Sequence, residues 1–203
     1  MKITKIERAK RNREKVNIFI DEKFYFSTYD QLLLKFDLFS GKEVDENFIE
    51  NLKKETRIYE SKRYLYNIIS RKRYTEQRLR EKLLIRKVDK EIIEKLILEL
   101  KKNGLIDDHS YLSDYLEYIS SQKRYSKKEI ESKIFSKFKW NFDKNYVKEF
   151  LDSYNEKEVL QKLLQKEKNI DEKVIQRYYR KGFDYETLME ILKSLKKGDK
   201  CHL

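Results

Sequence analysis

The chain has 203 residues, 41% of them charged and 39% hydrophobic, and a formal net charge of +12. No run of 18 apolar residues occurs, which excludes an ordinary membrane-spanning helix. The single cysteine, Cys201, cannot form an internal disulfide, and with the charged start of the chain it predicts a cytoplasmic protein without a signal peptide. The basic excess fits a polyanionic partner such as DNA, and it fits equally well a set of solvated lysine-rich helix faces.

The first 26 residues alternate between apolar and polar positions, as a β-strand does. Val16, Ile18 and Ile20 recur with a period of two, residues 21–23 predict a turn, and the alternation resumes after it. A small antiparallel sheet is therefore predicted. The connection before its second strand is basic. It is either a charged exposed hairpin tip or a finger that contacts phosphate or acidic groups.

Helical signals come after this sheet. Leu32 and Leu33 predict a helix over residues 29–36 that packs on the sheet. Asp45 is the predicted N-cap of a further helix, which either runs on or hinges into the helix that starts at Tyr59. The Gly-Lys pair at residues 41–42 lacks the rest of a phosphate-binding P-loop, so we predict no nucleotide site there.

A helix–turn–helix pattern lies in the middle of the chain. Thr75 is a predicted N-cap, and Leu79 and Leu83 form an apolar stripe at i, i+4 spacing. Gly104 is the predicted stop of the second helix, because glycine adopts the left-handed conformation cheaply. Leu105 is expected to pack back on that helix.

The same pattern returns further along the chain. Residues 72–75 (KRYT) reappear 51 positions later as residues 123–126 (KRYS), and a weaker copy begins at Asp171, with Ile175 and Tyr179 at the two apolar positions. Repeats of this length are typical of stacked supersecondary units. We therefore predict three units of three helices each.

The predicted fold class is mainly α, with tandem three-helix repeats in an elongated curved array preceded by a small N-terminal β-hairpin or sheet plus helices. The predicted organisation is an N-terminal β-hairpin and helical region, three repeats and a short, frayed tail, at residues 1–58, 59–106, 107–154, 155–197 and 198–203.

Residues with catalytic or metal-binding chemistry do not form a recognisable motif. His109 and His202 have no ligand spacing, and Cys201 with His202 is too small a set for zinc. We predict a non-enzymatic protein that uses no cofactor or metal. Trp140 and Phe142 are expected to fill the junction between two repeats, and stacking on bases is the less favoured alternative.

These residues resemble the RecX family, the bacterial regulators of the RecA recombinase. The resemblance rests on KRYT at 72–75, the Leu79 and Leu83 pair, GLIDD at 104–108 with Tyr111 after it, and two upstream stretches, and it covers nearly the whole chain. Departures from the family pattern occur at three places: Arg78, where an acidic residue is common, Leu112, where a small residue is usual, and Tyr125-Ser126, where Gly-Pro often opens the helix.

The resemblance implies a monomer that binds along the groove of the RecA–single-stranded DNA filament and suppresses strand exchange and ATP hydrolysis. Two alternatives are a basic helical-repeat module that binds DNA directly and a helical scaffold that binds only protein. Our hypothesis for the contacting cations names Arg11, Arg13, Arg71, Lys72, Arg73, Lys123, Arg124, Arg177, Arg180 and Lys181.

Overall fold

The computed structural model describes residues 1–139 and 141–198, which form one three-stranded sheet and ten helices. The predicted fold class, mainly α with a small N-terminal antiparallel sheet, is confirmed. Contacts divide the chain into a first unit, residues 1–74 with 79–103, and a second unit, residues 75–78 with those from 104 onward. The predictions for Trp140, Cys201 and His202, and for the tail beyond Gly198, lie outside the described residues.

The N-terminal sheet has the predicted alternation. Its strands lie in the antiparallel order β1-β2-β3: β1 (Ile3–Arg8), β2 (Lys15–Ile20) and β3 (Lys23–Tyr29). Ile18 and Ile20 point into the core. The predicted turn at Asp21 and Glu22 is confirmed, and both residues have positive φ, 48° and 67°. A turn with two such residues matches the natural twist of paired strands.

Four helices come after the sheet: α1 (Asp30–Lys35), α2 (Glu46–Ile69), α3 (Glu76–Ile85) and α4 (Lys90–Lys102). Asp45 caps α2 as predicted, since its carboxylate accepts the Phe48 N–H at 2.7 Å. The helix that starts there runs on without a hinge, so the predicted boundary between residues 58 and 59 falls inside α2. Ile49 and Leu52 of α2 pack with the inner face of the sheet.

The stop of α4 differs in part from the prediction. Gly104 has a φ of +66° and ends the helix as expected. Leu105, however, is 44% exposed, so the prediction that it packs back on α4 was wrong. Ile106, the next residue, is buried instead.

The described part of the second unit contains six further helices: α5 (Asp108–Ser121), α6 (Lys127–Phe138), α7 (Lys144–Ser153), α8 (Glu156–Leu164), α9 (Glu172–Arg180) and α10 (Tyr185–Gly198). One core is formed by α5, α6 and α7, and another by α8, α9 and α10. Phe142 packs against the first of these cores. The helices therefore form groups of three, while the exact limits of the repeats stay a prediction.

One apolar position in the third copy was wrongly predicted. Tyr179 is 59% exposed, whereas Tyr178 is 3% exposed and lies in the core. The inward face of α9 passes through Val174 and Tyr178, which are four residues apart. Tyr179 lies about 100° further round the helix and therefore faces solvent.

A hydrogen bond recurs between successive groups of helices. The backbone N–H of Glu76, the first residue of α3, donates to the carboxylate of Asp108 at 2.9 Å. The backbone N–H of Lys127, the first residue of α6, donates in the same way to Glu156 at 2.7 Å. Asp108 and Glu156 are the first residues of α5 and α8. The carboxylate at the start of one helix therefore accepts a backbone N–H that has no partner inside the other helix.

Candidate functional site

The predicted cations of the repeats lie at or next to helix ends. All of them are solvent-exposed: Arg71, Lys72 and Arg73 lie between α2 and α3, Lys123 and Arg124 between α5 and α6, and Arg177, Arg180 and Lys181 in or just after the last turn of α9.

Buried N-caps explain why the first two groups of cations are exposed. The hydroxyl of Thr75 accepts the Arg78 N–H at 3.3 Å, and that of Ser126 accepts the Glu129 N–H at 3.0 Å. Thr75 is 2% exposed and Ser126 is fully buried. Because the cap holds the helix start inside the protein, the basic residues before it are turned outward.

The first of these corners is built on Tyr74. The Nζ atoms of Lys72 and Lys82 lie 5.0 Å and 5.2 Å from the centre of its ring. A cation at this distance is attracted by the aromatic face, by about 0.5–1 kcal/mol at an exposed site. The two lysines are thereby held beside one another, and we call this set the Tyr74 corner.

The second corner repeats the arrangement on Tyr125. The Cζ of Arg124 and the Nζ of Lys133 lie 4.9 Å and 4.6 Å from the ring centre, and Arg124 also donates to the tyrosine hydroxyl at 2.7 Å. Lys133 stands 51 positions after Lys82, the same offset that relates the two tyrosines. Sequence reasoning missed both lysines, although a lysine eight residues after each tyrosine was a visible signal.

In the second unit the end of α9 lies beside the start of α6. The Ser126 hydroxyl donates to the backbone carbonyl of Lys181 at 2.5 Å, which brings Lys181 next to the basic residues at 123–124. Arg177 is less available as a cation, because it pairs with Glu167 at 2.5 Å. The hydrogen bond from Tyr178, and then that from Arg177, lowers the pKa of Glu167.

Arg11 and Arg13 lie exposed in the connection between β1 and β2. The base of this connection is fixed to α2 in the first unit, where Glu14 pairs with Arg63 and Lys15 pairs with Glu60 at 2.7 Å. The connection is therefore anchored to α2 at its β2 end, and its two exposed arginines lie just before this anchor.

Two further properties bear on the kind of protein. Among residues 1–139 and 141–198, no group of three or more His, Cys, Asp or Glu side chains is arranged to hold a metal ion. No helix in that part of the chain is both long and apolar enough to cross a membrane.

A small sheet followed by groups of three helices, with basic corners at equivalent positions, defines a basic helical-repeat protein. The model of the regulatory protein RecX N-terminal domain matches residues 1–45. A regulatory protein RecX of Clostridium beijerinckii is 30% identical over 212 residues, which cover 96% of this chain and 95% of that one. Its counterpart in Clostridioides difficile is 29% identical over 95% of each chain. The chain belongs to the RecX family of regulatory proteins.

Solved structures show the same fold. A crystal structure of regulatory protein RecX superposes with a TM-score of 0.62 at 24% identity, covering 95% of this chain and 98% of that one. The structure of RecX from Lactobacillus salivarius gives 0.56 at 22% identity, covering 69% and 97%. The family consists of regulators, generally of the RecA recombinase, and no catalytic activity is indicated for this chain.

Proposed function

We propose that this protein binds the RecA–single-stranded DNA filament and inhibits its recombinase and ATPase activities in DNA repair and recombination. The observation that carries the proposal is the recurrence of one cationic corner, on Tyr74 and on Tyr125, in a chain that matches RecX proteins along its length. A filament presents the same protein and phosphate groups at regular intervals. A protein with the same contact group in successive repeats suits such a partner.

The strength of each contact also favours a repeated mode of binding. An exposed ion pair contributes about 0–1 kcal/mol, so a single corner would bind weakly at physiological salt. Several corners on one chain act through effective concentration, because the first contact holds the others near their partners. The proposed cytoplasmic location and a monomeric state agree with this mode.

The net charge of +12 favours a second candidate, a module that binds DNA directly. Such binding would be driven by the release of counterions, so its affinity for naked DNA would fall steeply as salt is raised. In that case RecA would be affected only through competition for the strand.

The first test measures DNA-dependent ATP hydrolysis by the cognate RecA on preformed filaments. With this protein well below the RecA concentration, we expect suppression of hydrolysis. Inhibition that requires saturation of the DNA would instead support the direct DNA-binding module. Unchanged hydrolysis at every ratio would contradict the proposed function.

A matched pair of variants tests the corners themselves. The test variant reverses one charge of each corner and the basic residue beside it: K72E, R73E, K123E and R124E. The control reverses four other exposed lysines and changes the net charge equally: K90E, K95E, K166E and K168E. With about 0.5 kcal/mol for each contact, the test variant should bind filaments about 30-fold more weakly. Equal losses in both variants would mean that only overall charge matters.

A further inference from the structure

A polar pocket of about 280 Å³ lies in the first unit, between α2 and the turn that joins α3 to α4. We propose that this pocket binds a phosphate group. Its lining consists of three cations, one carboxylate, two hydroxyl side chains and one valine: Lys53, Arg57, Arg86, Glu60, Thr56, Ser61 and Val88. The proposal does not depend on the RecA assignment, because it concerns residues outside the two tyrosine corners.

The two arginines are held in place by neighbours that leave most of their donors unused. Arg57 donates one N–H to the backbone carbonyl of Lys87, while a guanidinium carries five N–H donors in total. The Cζ of Arg86 lies 4.2 Å from the centre of the Tyr64 ring. A guanidinium stacked on an aromatic ring and one fixed by a carbonyl are both ordered before a ligand arrives, which lowers the entropy cost of binding.

The third cation, Lys53, contacts an aromatic residue of the sheet. The Nζ of Lys53 lies 4.4 Å from the centre of the Tyr25 ring. Within the described residues, no carboxylate oxygen lies within 4.0 Å of Lys53, Arg57 or Arg86. Three converging cations without a carboxylate partner leave a positive potential that an anion would neutralise.

The one carboxylate in the pocket does not cancel this potential, because it is already engaged. Glu60 accepts from Lys15 at 2.7 Å and from the Tyr29 hydroxyl at 3.3 Å. Partial burial favours the neutral acid, but the hydrogen bond and charge of Lys15, the hydrogen bond from Tyr29 and the charge of Arg86 together keep the pKa of Glu60 below its ordinary value. Lys15 offsets most of the charge of this carboxylate, so the pocket keeps a net positive charge even though Arg86 also interacts with Glu60.

The size and donor set of the pocket select the ligand. Pockets for larger ligands are about 300–1,000 Å³ and mostly apolar, whereas this one is smaller and lined largely by polar groups. Arginine forks bind tetrahedral phosphate oxygens with two parallel N–H donors, which a point charge does not do. The same chemistry can come from free phosphate or from the backbone of a nucleic acid, and the experiment separates these sources.

The experiment monitors the Arg57 and Arg86 Nε–Hε signals of the full-length protein by NMR, with inorganic phosphate in one titration and a short oligothymidylate without terminal phosphate in another. We expect both signals to shift and saturate. A response to inorganic phosphate alone identifies a free anion as the ligand, and a response to the oligonucleotide alone identifies the backbone. Silence of both signals in both titrations would overturn the proposal.

A double variant then tests the assignment. R57Q/R86Q should weaken binding of the responding probe about tenfold or more, because two charge-assisted contacts are lost. The control K90Q/K95Q removes two exposed charges from α4 in the same unit and should bind as the unmodified chain does. Equal binding by the two variants would contradict the site. The titrations of the unmodified protein decide the question even if R57Q/R86Q does not fold.

Discussion

Gly182 is the position at which one added methyl group should be most informative. It connects α9 to α10 with a φ of +91°. A Cβ placed there would lie 2.8 Å from the Cβ of Lys128 and 2.9 Å from the Oγ of Ser126. Both distances are shorter than ordinary van der Waals contact, and the Lys128 Cβ is fixed to the backbone of α6 and has no freedom to swing away.

The cost of G182A has three parts. The left-handed conformation costs a residue with a side chain about 1–2 kcal/mol, and relieving an overpacked contact costs about 1–3 kcal/mol. Movement of the turn away from α6 would also stretch the 2.5 Å hydrogen bond from Ser126 to Lys181, which contributes about 1 kcal/mol. These costs are not additive, because movement of the turn relieves the close contact. We therefore expect the free energy of unfolding to fall by about 3 kcal/mol.

The assay is urea unfolding monitored by far-UV circular dichroism, with G104A as the matched control. Gly104 is in the same unit and also has a positive φ, +66°, but a Cβ there meets nothing within 4 Å. G104A should therefore lose only the conformational cost, about 1–2 kcal/mol. Equal losses in the two variants would refute the close approach of α6 to the α9–α10 turn.

Two further perturbations test buried polar groups. T56V should lower the free energy of unfolding in urea by about 1–3 kcal/mol, because the buried Thr28 hydroxyl, 2.6 Å from that of Thr56, loses its partner. T28V/T56V should recover part of this loss. Unchanged stability of T56V would contradict the pairing. The Tyr154 hydroxyl donates to the Tyr125 carbonyl, and burial raises the pKa of Tyr154 to about 12. This pKa lies above the unfolded value of about 10. The contribution of neutral Tyr154 to the free energy of unfolding is therefore fully present below about pH 10 and is lost between about pH 10 and 12. Absorbance at 295 nm should show tyrosine ionisation that continues to about pH 12, and Y154F should reduce this late change by the share of one tyrosine.

The periodic parts of the fold could be predicted because periodicity is local. Strict alternation placed Ile18 and Ile20 on one face of a strand, and the i, i+4 pair Leu79 and Leu83 is buried as predicted. Where two aromatic residues are adjacent, as at residues 178–179, the pattern determines the helix but not its phase. The phase is decided by the core that the helix meets, so Tyr179 was placed on the wrong side.

Some of the cationic groups could be predicted from the sequence and others could not. The exposed cations at residues 71–73 and 123–124 could be proposed because they precede recognisable N-caps. The pocket could not, since Arg57 and Arg86 are 29 residues apart and meet only through the packing of α2 on the α3–α4 turn. Nor does the sequence show that Glu167 forms an ion pair with Arg177, because a partner ten residues away in an irregular segment leaves no periodic signal.

The recurring bond between helix starts has a consequence for how such chains evolve. Glu76 donates its amide to Asp108 and Lys127 donates its amide to Glu156, so the middle segment carries both an acceptor for the segment before it and a donor for the segment after it. A tandem duplication or an in-frame deletion of one whole segment therefore restores the bond at the new junction. Gain or loss of a fraction of a segment leaves a helix start without its acceptor, which should confine viable length changes to whole segments.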